Sequence, residues 1–198
     1  MTHKPDLVAL VGSRICHDLI SPIGAISNGM ELIELAGGAK APELSLIADS
    51  VQNANAKIRF FRVAFGQASA EQQVGEQEIL TILDNMAIGA RTMVDWTVQG
   101  AVERAELRLA FLAILCFETA LPFGGVISVH RTQGGWQVLG DSEKQRVDDT
   151  LWPALVSGDV PQTLAPNQVQ FGLLPQWAST LGRSVRTSQN DNRLELTF

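Results

Sequence analysis

The chain has 198 residues, 45% of them hydrophobic and 18% charged, with a formal net charge of −6 and a pI near 5.0. This composition excludes a disordered chain and argues against a nucleic-acid partner, which requires a basic surface. No apolar run approaches the ~20 residues of a membrane span, and residues 1–6 lack the layout of a signal peptide, so we expect a cytoplasmic protein with no membrane partner.

The first predicted element is a long helix from Asp6 to about Ala36. Its apolar residues keep a helical period for roughly 30 residues, which corresponds to ~45 Å at the rise of an α-helix. Gly37-Gly38 fit a C-terminal cap, and Pro42 fits the first turn of the next helix. The second helix repeats a three-and-four spacing of apolar residues from Leu44 to Phe65. The sequence therefore predicts a long helical hairpin.

Each helix of this hairpin carries an apolar stripe along its length, and the two helices cannot bury both stripes against each other. A second copy of the hairpin solves this by forming a four-helix bundle about a twofold axis. We therefore expect a homodimer through residues 6–66. An open alternative is that the hairpin packs on the second domain of its own chain.

The polar stretch 68–75 loses the helical period and predicts a domain boundary, with a hairpin domain at 1–68 and a second domain at 69–198. In the second domain we expect helices at 76–89, 103–121, 147–156 and 167–181, and strands at 92–98, 126–131, 136–139, 184–188 and 194–198. Helices interspersed with strand hairpins indicate an α+β fold, a sheet covered by helices. The two cysteines, Cys16 and Cys116, have no spacing typical of a metal site or a disulfide framework.

His17 lies on the first helix, about 180° from the centre of the apolar stripe. A neutral imidazole nitrogen is a nucleophile toward phosphorus near pH 7 and needs little activation. Arg14 lies one turn earlier on the same side, and Pro22 leaves the Asp18 carbonyl without its helical hydrogen bond. The face around the histidine is mostly small or polar and suits contact with a partner; its members are Leu10, Ser13, Arg14, Ser21, Gly24, Asn28 and Glu31. On the residues alone, a surface histidine without chemistry remains an open alternative.

The stretch His17 to Pro22 resembles the phosphoacceptor box of sensor histidine kinases: a histidine, an acid, three residues and a proline at the head of a dimerising hairpin. Kinases of that type bind ATP in a second domain through an Asn on a helix, an Asp-x-Gly-x-Gly loop and a later glycine-rich loop. Here the helix has Glu118 and no Asn, the segment 141–145 keeps the Asp without the glycines, and 171–175 retains one glycine. We therefore expect a degenerate kinase-like domain that does not bind ATP.

A phosphoacceptor hairpin followed by such a domain is similar to the ChpT-type histidine phosphotransferases of alphaproteobacteria, and the segments 14–18, 62–66, 95–96 and 121–126 resemble that family's sequences. The resemblance implies a dimeric phosphorelay protein in which His17 accepts the phosphoryl group, with Asp18, Ser21 and Arg14 around it. It implies receiver domains of a hybrid histidine kinase and of response regulators as partners. They would dock on Leu10, Ser13, Gly24 and Asn28. We expect no cofactor in the chain itself, with Mg²⁺ supplied by the receiver domain. The alternatives are a dimeric receiver-binding scaffold without chemistry and an autophosphorylating kinase.

Overall fold

A computed structural model describes residues 4–36, 41–68 and 71–198. Its N-terminal part is a hairpin of two long helices, α1 (Leu7–Leu35) and α2 (Ala41–Ala64). The Asp6 carboxylate caps α1 by accepting hydrogen bonds from the amides of Val8 and Ala9 at 3.0 and 3.1 Å. The cap expected at Gly37-Gly38 lies outside the described residues. The bounds of both helices agree with those expected from the apolar period.

The second part is an α+β domain, as the sequence predicted. Its elements in chain order are β1 (Gln73–Val74), α3 (Glu76–Ala87), β2 (Thr92–Trp96), β3 (Val102–Glu103), α4 (Arg104–Ala120), β4 (Gly125–Thr132), β5 (Gly135–Asp141), α5 (Leu151–Ser157), a 3-10 turn (Pro166–Gln168), α6 (Gln170–Thr180), β6 (Arg186–Asn190) and β7 (Arg193–Thr197). Five strands form one sheet in the order β2-β4-β5-β7-β6, parallel between β2 and β4 and antiparallel elsewhere. Strands β1 and β3 form a separate short antiparallel pair that the sequence did not predict.

Helix α4 is the centre of the core, because its strongly apolar sequence is buried on all sides. It packs against α2, α6 and the inner face of the sheet. At the base of the hairpin, the ring of Phe60 on α2 stacks on Phe111 of α4 with 4.6 Å between their centroids. One continuous core therefore joins the base of the hairpin to the second domain.

Two arginines of α4 hold the C-terminal end of α2. The Arg104 guanidinium donates to the carbonyls of Arg62 and Gln67 at 2.6 and 3.2 Å, and Arg108 donates to the carbonyl of Gly66 at 2.5 Å. The last carbonyls of a helix have no partner within the helix, and the Arg104 bond gives the Arg62 carbonyl such a partner. The hairpin is therefore anchored on its own second domain at this end.

The remainder of the hairpin leaves large apolar side chains in contact with solvent; those on α1 and α2 are Val8, Ile20, Ile23, Met30, Leu32, Leu35, Leu44, Leu46, Val51 and Ile58. Among the described residues, α1 is also the one helix long and apolar enough to cross a membrane, by length and composition alone. On α2, Leu44, Val51 and Ile58 recur every seven residues. The alternating set Ile47, Ala54 and Phe61 is less exposed. The hairpin thus has one face turned inward and a second apolar face that the described residues of the single chain leave exposed.

Candidate functional site around His17

His17 belongs to a group of exposed polar side chains on α1. Its side chain is 81% exposed, and Ser13, Ser21, Gly24 and Asn28 are exposed along the same face of the helix. Leu10, on the same face, is half-buried and packs against the continuous hydrophobic core. The structure therefore brings most of the residues expected around the histidine onto one accessible surface.

Asp18 and Arg14 are held much more tightly than the histidine they flank. The Asp18 side chain is 17% exposed and that of Arg14 is 14% exposed. The Arg14 Nε donates to Asp18 Oδ2 at 2.7 Å, and His17 Nδ1 lies 3.1 Å from Asp18 Oδ1. An ionised carboxylate only accepts hydrogen bonds, so this contact requires the proton of a neutral imidazole to be on Nδ1. The unprotonated Nε2 is then the nitrogen available for reaction.

Lys57 on α2 contacts the turn of α1 that contains Asp18. Because Pro22 has no amide hydrogen, the carbonyl of Asp18 lacks the bond that a helix would provide. The Lys57 ammonium replaces the missing donor, with 3.0 Å between its Nζ and the Asp18 carbonyl oxygen. The sequence showed that a donor was missing, whereas the identity of the donor depends on how α2 packs on α1.

The second domain reaches the histidine through its 3-10 turn. Arg14 Nη1 donates to the backbone carbonyl of Asn167 at 3.0 Å. A cavity of about 430 Å³ lies beside the histidine and is lined by Ser13, Arg14, His17, Pro166 and Asn167. Sequence reasoning missed Asn167, because no local pattern links a turn near the C-terminus to the first helix.

Glu118 lies behind Arg14 in a second cavity, of about 500 Å³, between the hairpin and the second domain. Burial raises the pKa of Glu118 from 4.5 to about 7; Arg14 and Lys57 favour its charged form, and Asp18 opposes it. Near neutral pH this carboxyl is therefore partly protonated beside a group of three charged side chains.

Several residues in and near the segments that were compared with kinase nucleotide elements make structural contacts here. Asp141 forms an ion pair with Arg193, 2.7 Å from Nε to Oδ1. Gly124 has a φ of +100°, and a Cβ there would meet the Arg91 carbonyl oxygen at 2.6 Å. The glycine of the third element, Gly172, leaves room for Leu7 of α1, since a Cβ would lie 2.9 Å from Leu7 Cδ2.

The comparison with protein families matches residues 76–193 to the histidine phosphotransferase C-terminal domain. The chain belongs to this histidine phosphotransferase family. A relative with 38% identity over 128 residues is the protein phosphotransferase ChpT of Brucella abortus (strain 2308). The match covers 63% of this chain and 60% of the relative, so the chain spans less than two thirds of that relative's length.

Among solved structures, a bacterial phosphotransferase matches with a TM-score of 0.79 and 26% identity, covering 99% of this chain and 98% of the other. The likeness therefore extends over both the hairpin and the sheet domain. The family model, in contrast, covers only the second domain and leaves His17 outside the matched residues. Family membership rests on the second domain, and the role of the histidine has to be argued from its own surroundings.

Proposed function

We propose that the protein is a phosphorelay histidine phosphotransferase that moves a phosphoryl group between receiver-domain aspartates through His17. The observation that carries this proposal is an imidazole 81% exposed to solvent whose Nδ1 is bound by a largely buried carboxylate. The second support is membership of a family of histidine phosphotransferases. A carrier of phosphoryl groups needs an accessible nucleophile more than it needs further catalytic groups.

The chemistry requires one nitrogen of His17 and the partner's aspartyl phosphate. The Nε2 lone pair attacks phosphorus, the bond from phosphorus to the aspartate oxygen breaks, and the aspartate leaves as a carboxylate. Asp18 keeps its hydrogen bond to Nδ1–H and stabilises the positive charge that the ring gains. In the second transfer a receiver carboxylate attacks phosphorus, the nitrogen–phosphorus bond breaks, and the neutral imidazole is restored. We propose that Mg²⁺ comes from the receiver domain.

We propose that the receiver domain docks on the exposed face of α1 around the histidine. Ser13 precedes His17 by one turn, whereas Ser21 and Gly24 follow it by one and two turns. Apart from its chain neighbours and the adjoining backbone of α1, none of the described residues lies within 4 Å of a Cβ placed on Gly24, so this glycine leaves free space for a partner's side chain. Asn28 extends the same face, and Leu10 contributes through the part of its side chain that remains accessible.

We propose that the second apolar face of the hairpin is covered by a second copy of the chain. The seven-residue spacing of Leu44, Val51 and Ile58 suits helix packing in a four-helix bundle. This pairing would also bury the exposed apolar side chains of α1 that face the second copy, which would account for part of the apolar composition of this helix. Sedimentation at micromolar concentration should give a dimer for the wild type and a monomer for Val51→Glu, which places a charge in the bundle. A compact wild-type monomer would contradict the proposal.

The decisive experiment for the function is transfer from a phosphorylated receiver domain. Each protein is incubated with a panel of receiver domains from the same organism that carry a labelled phosphoryl group. The label should be transferred to the wild type and not to His17→Ala. Labelling of both proteins would remove His17 from the mechanism. Binding of a receiver to both proteins, with transfer to neither, would favour the scaffold alternative.

A further inference from the structure

The second domain touches the site at one point, the contact between its 3-10 turn and Arg14. Arg14 lies on the outer face of α1, where side chains are otherwise mostly exposed, yet its own side chain is 14% exposed. Pro166 and Asn167 lie beside it, and Glu118 and Thr119 line the cavity behind it. The second domain therefore encloses this arginine while leaving the neighbouring His17 accessible.

Arg14 connects two acceptors that belong to different parts of the chain. Its Nη1 donates to the Asn167 carbonyl at 3.0 Å, and its Nε donates to Asp18 Oδ2 at 2.7 Å. A guanidinium is planar and presents its donors in fixed directions, so fixing one bond restricts the other. The turn of the second domain thus determines where Arg14 holds the Asp18 carboxylate.

The carboxylate in turn determines the state of the imidazole. Asp18 Oδ1 lies 3.1 Å from His17 Nδ1, and a histidine that is 81% exposed has little packing to fix its ring. The hydrogen bond of one ring nitrogen fixes the tautomer and thereby the nitrogen that can react. Three consecutive contacts therefore lead from the backbone of Asn167 through Arg14 and Asp18 to the reacting side chain.

We infer that Arg14 is a positioning residue through which the second domain holds His17 in its Nδ1–H tautomer, with Nε2 free for phosphoryl transfer. The inference rests on the proposed function of His17 and gives the second domain a task in that function. Arg14 itself does not need to touch the phosphoryl group. Arg14 donates to the backbone carbonyl of Asn167, so the backbone of the 3-10 turn, and not the Asn167 side chain, positions the arginine.

The test combines ¹⁵N NMR of the His17 ring in the full chain with the kinetics of transfer from a phosphorylated receiver domain. Arg14→Gln should lower the Nδ1–H population and reduce the maximum transfer rate about tenfold, the scale of losing an outer partner of a functional histidine. The receiver concentration giving half-maximal rate should remain nearly unchanged. Pro166→Gly, which loosens the turn, should shift the tautomer in the same direction. Asn167→Ala keeps the carbonyl and is the matched control that should leave the tautomer unchanged.

An unchanged tautomer in Arg14→Gln would overturn the inference, as would an unchanged tautomer in Pro166→Gly. The NMR measurement uses the unphosphorylated protein, so it does not depend on finding the correct receiver domain. No labelling of the wild type by any receiver would contradict the proposed function, whereas normal labelling with an unchanged tautomer in Arg14→Gln would contradict the inference alone. A loss of transfer in Arg14→Gln caused only by weaker receiver binding would also contradict it.

Discussion

Glu118 should make the protein less stable as the pH rises, and Glu118→Gln should remove this effect. Burial raises the pKa of the carboxyl from 4.5 to about 7 in the folded chain. Below pH 4.5 the carboxyl is protonated in both states and has no effect. As the pH rises to 7 the unfolded chain loses the proton while the folded chain keeps it, so the free energy of unfolding falls with pH. Above 7 the carboxyl is charged in both states, and the folded chain carries the full cost.

The size of the effect follows from the shift itself. At 1.36 kcal/mol for each pKa unit, a rise from 4.5 to about 7 corresponds to about 3 kcal/mol at alkaline pH. Urea denaturation of the wild type and of Glu118→Gln at one protein concentration, between about pH 5 and about pH 8, measures this quantity. The variant should gain about 2.5 kcal/mol relative to the wild type across this interval, because part of the cost is already present at about pH 5, and the change should be centred between the two pKa values. If the difference in the free energy of unfolding between the two proteins does not change with pH, Glu118 is not partly protonated near pH 7.

Three further predictions follow from the anchoring of the hairpin, the docking face and the core. Arg104→Met should lower the free energy of unfolding by about 2 kcal/mol in urea denaturation, because it removes the charged donor that the Arg62 and Gln67 carbonyls share; no loss would show that these bonds add nothing. Gly24→Gln should raise the receiver concentration giving half-maximal transfer to His17 without loss of stability, and unaltered kinetics would remove Gly24 from the docking face. Glu106→Ala should cost about 2 kcal/mol in the same denaturation assay, because it leaves the buried Trp136 indole N–H without its acceptor and removes the carboxylate that two arginines contact, whereas an unchanged free energy of unfolding would contradict this.

The helices of this chain were predictable where their signal is local and periodic. The long apolar period predicted α1 and α2, and the continuous apolar run predicted α4 as a buried helix. Strands β1 and β3 were missed because each has two residues, and their pairing joins Gln73 to Glu103 across the chain. Helix α5 begins at Leu151 and not at 147, since the Asp148 carboxylate accepts from the amides of Thr150 and Leu151. This capping aspartate was a signal that could have corrected the boundary.

In the candidate site, too, the sequence predicted neighbours along one helix but not contacts between elements that are distant in the chain. Helical spacing placed Arg14 beside His17, and Pro22 indicated that the Asp18 carbonyl would lack its helical hydrogen bond. The donor, Lys57, and the acceptor of Arg14 on the 3-10 turn both depend on tertiary packing. The division into domains at residues 68 and 69 stays a prediction, since the core is continuous from the base of the hairpin to the second domain.

The measurement that tests the central claim most directly is the position of the phosphoryl group after transfer from a receiver domain. Mass spectrometry locates the modified residue, and ³¹P and ¹⁵N NMR of the same sample distinguish the two ring nitrogens. The hydrogen bond of Nδ1 to Asp18 predicts a single phosphoryl group on Nε2 of His17. A phosphoryl group on Nδ1 would contradict the assigned geometry. Modification of a different residue would contradict the proposed function.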